Sequence, residues 1–167
     1  MLETRIRYDD GVCRLTQAGN LLVATWFDAP NVEQMREFRR TSVAMQKDHP
    51  QGTAMVNTIC DGTPRFMPGV RDEAVALMKE RIHRLGAAHI VLVDGLRGSA
   101  TRAFLTTVIL VGRPRAPSRV FAEIAPAVEQ MNAWLARGAT PWTLPDLRTL
   151  VEQASRRREA ARVPART

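Results

Sequence analysis

Residues 91–105, VLVDGLRGSATRAFL, place an apolar run, an Asp-Gly pair, Arg97-Gly98-Ser99 and a helix-forming segment in an order that often cradles a phosphate. A P-loop needs Gly-x-x-x-x-Gly-Lys-Ser/Thr, because its lysine neutralises the phosphates while the hydroxyl ligates magnesium. Gly95 to Gly98 is too short for that loop, and Arg97 stands before the second glycine. The dinucleotide fingerprint Gly-x-Gly-x-x-Gly is not met either. What remains is a helix start expected at Ser99, where free N–H groups, the positive helix end and two guanidinium groups would hold an anion weakly at Arg97, Gly98, Ser99 and Arg102. The plainer alternative is that Ser99 only caps the helix.

Other catalytic constellations are thin. Gly98-Ser99 lacks the second glycine of a Gly-x-Ser-x-Gly elbow. His49 abuts a helix-stopping proline, His83 falls between core positions of a charged helix, and His89 starts a strand, with nothing to bring any two together. Cys60 stands beside Asp61, whose charge raises a thiol pKa. Asp9, Asp10 and Asp28 have no companion at metal-ligand spacing. The expectation is a chain without catalytic residues, metal or cofactor.

The elements that must position these residues alternate. RIRY and VCRLTQ flank Asp-Gly, a hairpin signal, and LLVATWFD is apolar enough for an inner strand. Asn31 is placed to cap a helix with Val32, Met35, Phe38, Ser42 and Met45 on one face, stopped at His49-Pro50. TAMVNTI reads as a buried strand. The next helix is expected from about Val70 to Leu85, with Ala74, Leu77, Met78, Ile82 and Leu85 inward and Gly86 as terminator. HIVLVD is a strand, Ser99 to Gly112 a helix, SRVFA a short strand, and Ile124 to Leu135 an amphipathic helix ended by Gly138. Leu147, Leu150, Val151 and Ala154 mark one face of a further helix. Strands alternating with helices imply an α/β fold, a mixed sheet of five or six strands with four helices and a C-terminal helical extension. The division expected is residues 1–138 as the domain and 139–167 as linker, helix and basic tail.

Composition narrows the class. The 167 residues carry a net charge of +7, and residues 148–167 hold six Arg against two Glu, so much of that charge sits in the tail. Such a tail can hold nucleic acid or an acidic partner non-specifically, or simply be solvated. Base reading would want exposed aromatics, and the chain has nine aromatic residues, most of them at apolar-face positions. Two cysteines make no disulfide framework, and the longest apolar run, Ala103 to Val111, is about half a membrane span. With no apolar core near Met1 to act as a secretion signal, a reducing, cytoplasmic setting is expected.

Three pieces carry a family likeness: GNLLVATW at Gly19 to Trp26, RVFA at Arg119 to Ala122, and the AWL of the following helix at Ala133 to Leu135. With the strand–helix order between Leu21 and Gly138, the chain resembles the STAS domain of anti-sigma factor antagonists and of sulfate-transporter cytoplasmic ends. It is most similar to the divergent STAS-like and lipid-transfer-like bacterial proteins. The resemblance implies a non-enzymatic regulatory or scaffold module acting through another protein. In the regulatory branch a kinase phosphorylates a serine after the third strand. Here Arg71, Asp72 and Glu73 occupy that region, so the phospho-switch is absent. The two acids either imitate a permanent charge or serve the helix dipole.

Two segments offer a partner surface. In CDGTPRFMPGVRD, Arg65, Phe66, Met67, Arg71 and Asp72 supply the aromatic, Met and Arg mixture that interfaces enrich, unless Phe66 and Met67 fold back over the sheet edge. In TPWTLPDL, Trp142 and Leu144 lie outside the core pattern and are available to a partner or a second copy. The alternatives are an apolar or anionic small ligand held between sheet and helices, and nucleic acid held by the tail.

Overall fold

The computed structural model describes residues 3–61, 68–138 and 140–156. The chain opens with an antiparallel meander, β1 (Thr4–Asp9), β2 (Cys13–Ala18) and β3 (Leu21–Trp26). At the first turn Asp10 Oδ1 accepts the N–H groups of Val12 and Cys13, which closes the Asp-Gly hairpin anticipated from sequence. From β3 onward the sheet is parallel: α1 (Val32–Asp48), β4 (Thr53–Ile59), α2 (Pro68–Lys79), β5 (Arg84–Val91), α3 (Gly95–Gly112) and β6 (Ser118–Phe121). Two helices follow, α4 (Ile124–Leu135) and α5 (Leu144–Ser155).

Strand order in space is the order in sequence, so each parallel crossover steps in the same direction. A common hand of crossover then puts α1, α2 and α3 on one face, and α4 with α5 covers the other. The period-two alternation of the strands sorts side chains between two cores. Leu21, Val23, Ala54, Val56, Ala88 and Ile90 meet Met131, Trp134 and Leu147 on the α4–α5 side. Leu22, Ala24, Trp26, Met55 and Ala87 meet Met35, Phe38 and Leu77 on the other. The sheet is α/β and mixed, as the pattern implied.

Asn31 caps α1 as expected: its side chain accepts from Gln34 N while Gln34 Oε1 accepts from Asn31 N, a reciprocal capping box. Several boundaries differ from the sequence reading, β5 among them: it begins at Arg84, so His89 lies inside the strand rather than at its start. Helix α2 ends at Lys79 rather than near Leu85, and Gly86 lies inside β5 rather than terminating a helix. The indole of Trp134 explains the glycine, since a Cβ at residue 86 would stand 2.3 Å from Trp134 Cε3. Helix α3 starts at Gly95, four residues before the expected Ser99, with Asp94 as its N-cap residue. Among the described residues no helix is long and apolar enough to cross a membrane.

Candidate functional site

Trp26, Asn57 and His89 come from three adjacent strands and share the face beneath α1, α2 and α3. Parallel register sets Asn57 directly opposite His89 between β4 and β5. On the other side it pairs Ala24 with Asn57 and Trp26 with Ile59, so Trp26 lies one same-face position further along β3. The Trp26 ring is held edge-on by Phe38 of α1, with ring centroids 6.1 Å apart. Three polar side chains are thereby lodged in a largely apolar layer, where each must find a partner.

They find one another in a chain whose direction is fixed by chemistry. The indole Nε1–H of Trp26 can only donate, and it donates to Asn57 Oδ1 at 2.5 Å. That sets the amide orientation and turns the Asn57 NH2 group toward His89 Nδ1, 3.2 Å away. Nδ1 must therefore accept, and in a neutral imidazole the proton then sits on Nε2. Burial holds the ring neutral and pushes its pKa down to about 4, helped by the positive charge of Arg84. Among the described residues the far end of the chain, Nε2–H, has no partner. An unmade hydrogen bond at a buried donor costs about 1–3 kcal/mol.

His89 lines a cavity between sheet and helices at the carboxyl ends of β3 and β4, with Trp26 and Asn57 beside it. The walls are apolar: Met35 and Phe38 from α1, Met55 and Ile59 from β4, Ala74 and Leu77 from α2, Leu105 and Val108 from α3. Thr101 also contributes, but its hydroxyl donates to Arg97 O at 2.9 Å and is occupied. The volume is about 90 Å³. On a scale where a cavity of about 150 Å³ holds benzene, that admits a ring of a few atoms or one end of a longer molecule. The exposed residues Asp28 and Asp61 stand on its solvent side, and two carboxylates at an entrance disfavour an anionic occupant.

The residues singled out from sequence lie elsewhere. Arg65, Phe66 and Met67 fall outside the described residues. Arg71 and Asp72 are exposed on the first turns of α2. Trp142 is used within the chain: its indole donates to Asn20 Oδ1 at 2.9 Å, and its ring packs on the α4–α5 core. Leu144 is partly exposed at the start of α5. Around Arg97, Gly98, Ser99 and Arg102 the expected cap is corrected. Ser99 is in the second turn of α3, where its hydroxyl accepts from Arg102 Nη2 at 3.2 Å. Gly98 N–H is spent on Asp94 O, and its missing side chain lets Val93 O pass where a Cβ would be 1.8 Å away. The carboxylate-bearing Asp94 at the helix start further disfavours an anion there.

Sequence reasoning missed Trp26, Asn57 and His89 as a set. The usable signal was a polar residue inside each of two apolar strands, Asn57 in TAMVNTI and His89 in HIVLV, since a buried amide and a buried imidazole each demand a partner. Comparisons with protein-family models, with characterised proteins and with solved structures return no match.

Proposed function

We propose that this chain is a non-enzymatic binding protein for a small, neutral, largely apolar molecule that carries a hydrogen-bond acceptor, such as a carbonyl oxygen. One observation carries the reading: a polar chain through Trp26 and Asn57 ends on His89, whose Nε2–H has no partner among the described residues and whose ring lines a cavity with mostly apolar walls. Binding sites for small molecules combine such apolar walls with a few placed polar groups. An acceptor at Nε2 recovers the cost of the unmade bond, and the acidic entrance favours an uncharged ligand. The test is mass spectrometry of the protein purified natively, then extracted under denaturing conditions. A retained neutral molecule in the wild type that Ala74→Leu, which fills the cavity, no longer carries supports the reading. Equal retention by both proteins rejects it.

The regulatory reading implied by the STAS-like resemblance has separate support. The outer face of α3 carries Leu96, 90% exposed, and Leu110, 69% exposed, with exposed Ala100, Ala103 and Thr107 between them and no charge. Such a face suits a second copy of the chain. Sedimentation of the wild type as a dimer, converted to a monomer by Leu110→Glu, supports this reading, and a monomer at every concentration removes it.

A further inference from the structure

The opposite end of the sheet gathers positive charge from three separate connections. Arg81 lies between α2 and β5, Arg84 is the first residue of β5, Arg115 lies between α3 and β6, and Arg137 follows α4. All four line one cleft of about 580 Å³, with His83 on the same wall. Glu80 is the acidic residue of that lining, and its carboxylate already faces Arg39 of α1 at 3.5 Å. Among the described residues none of the four arginines is in an ion pair.

Arg84 is the telling member. Arg81, Arg115 and Arg137 are exposed and hydrated, whereas Arg84 is half-buried. Loss of water pushes its pKa down to about 10 against the opposing pull of Glu80. A guanidinium withdrawn from water with no carboxylate in contact is costly, and three more cations around it add repulsion. A bound oxyanion reverses both effects, and the planar fork of arginine matches phosphate oxygens in pairs.

We propose that this cleft binds a compact, multiply charged oxyanion of the phosphate type, as borne by a phosphorylated small molecule, at a site independent of the apolar cavity. Nucleic acid fits less well, because among the described residues the cleft wall has no Trp, Tyr or Phe on which a base could stack. The charges also converge on one recess instead of tracking a backbone.

The probe is tripolyphosphate, titrated calorimetrically into the full chain at about 0.15 M salt, where weak contacts between exposed charges are largely screened. One saturable site is expected. Replacing the exposed Arg81, Arg115 and Arg137 together by serine should weaken it by at least about tenfold. A control variant with Arg5, Arg40 and Arg148 replaced, which removes the same charge elsewhere, should bind as the wild type does. Independently of any variant, the probe should shift amide NMR signals of residues 81–85 and of Arg113, Arg115 and Ala116, and leave those of Asn57 and His89 in place. Absence of saturable binding, equal weakening in the control, or tighter binding of a base-bearing oligonucleotide of matched charge would overturn the proposal.

Discussion

Lowering the pH from 7 to 4.5 should destabilise this protein through one buried imidazole. His89 is 2% exposed, and its pKa falls from an ordinary 6.5 to about 4. A histidine with a depressed folded-state pKa contributes stability above its unfolded pKa, and that stability is lost as the pH falls toward the folded value. Between those limits the unfolded chain takes up a proton that the folded chain refuses. A shift of this size corresponds to about 2.5 kcal/mol lost by pH 4.5. Asp10 does not mimic the effect. Burial opposes its ionisation, but hydrogen bonds from Cys13, Gln34, Val12 and Tyr8 more than offset this and hold its pKa below 3.8, so its contribution is lost at lower pH. The assay is urea denaturation at pH 7, 5.5 and 4.5 on the wild type and on His89→Gln, which keeps a polar side chain facing Asn57 but does not titrate. The wild type should lose about 2.5 kcal/mol over that range and the variant much less. Parallel pH profiles for the two proteins would refute the desolvation of His89 as the source.

Three further outcomes follow from packing and burial. Gly86→Ala places a methyl group against the Trp134 indole, and overpacking of this kind should cost about 1–3 kcal/mol, read as a lower urea midpoint. Arg14 is 6% exposed, donates to Asp9 Oδ2 at 2.8 Å and to Arg156 O at 3.0 Å, and lies over the Phe27 ring. Arg14→Ala should therefore destabilise by about 3 kcal/mol, because it strands a partly buried carboxylate, while Arg5→Ala, at an exposed pair, should leave the midpoint within about 0.5 kcal/mol. Burial raises both thiols, Cys60 to about 11 and Cys13 further. Ellman's reagent at pH 8 should label neither quickly in the native protein and both at once in denaturant.

Much of the fold was legible because its signals are local. The Asn31 cap, the Asp-Gly turn and the apolar run Thr53–Ile59 each carry their conformation in a few neighbouring residues. The end of α2 was not legible, since Ile82 and Leu85 continue the helical spacing of Leu77 and Met78 beyond the helix itself. Gly86, read as a helix terminator, instead lies inside β5 against the Trp134 indole, a contact with a residue distant in sequence. The start of α3 is ambiguous from sequence because Asp94 and Ser99 are equally suited to cap, and the Asp94 side chain makes no cap hydrogen bond. The site was hidden for a related reason. Trp26, Asn57 and His89 stand 31 and 32 residues apart, and only the register of two parallel strand pairs brings them into line.

Nitrogen-15 NMR of the imidazole tests directly whether His89 offers an Nε2–H donor to a ligand in the cavity. At pH 7 the spectrum should show the proton on Nε2 and a bare Nδ1. Cyclopentanone and methylenecyclopentane, of one shape but with and without an acceptor oxygen, then serve as paired probes. The ketone should shift the Nε2–H signal and bind about five- to tenfold tighter than the hydrocarbon, the value of one hydrogen bond. A proton found on Nδ1, or equal binding of the two probes with Nε2 undisturbed, would contradict this role for His89.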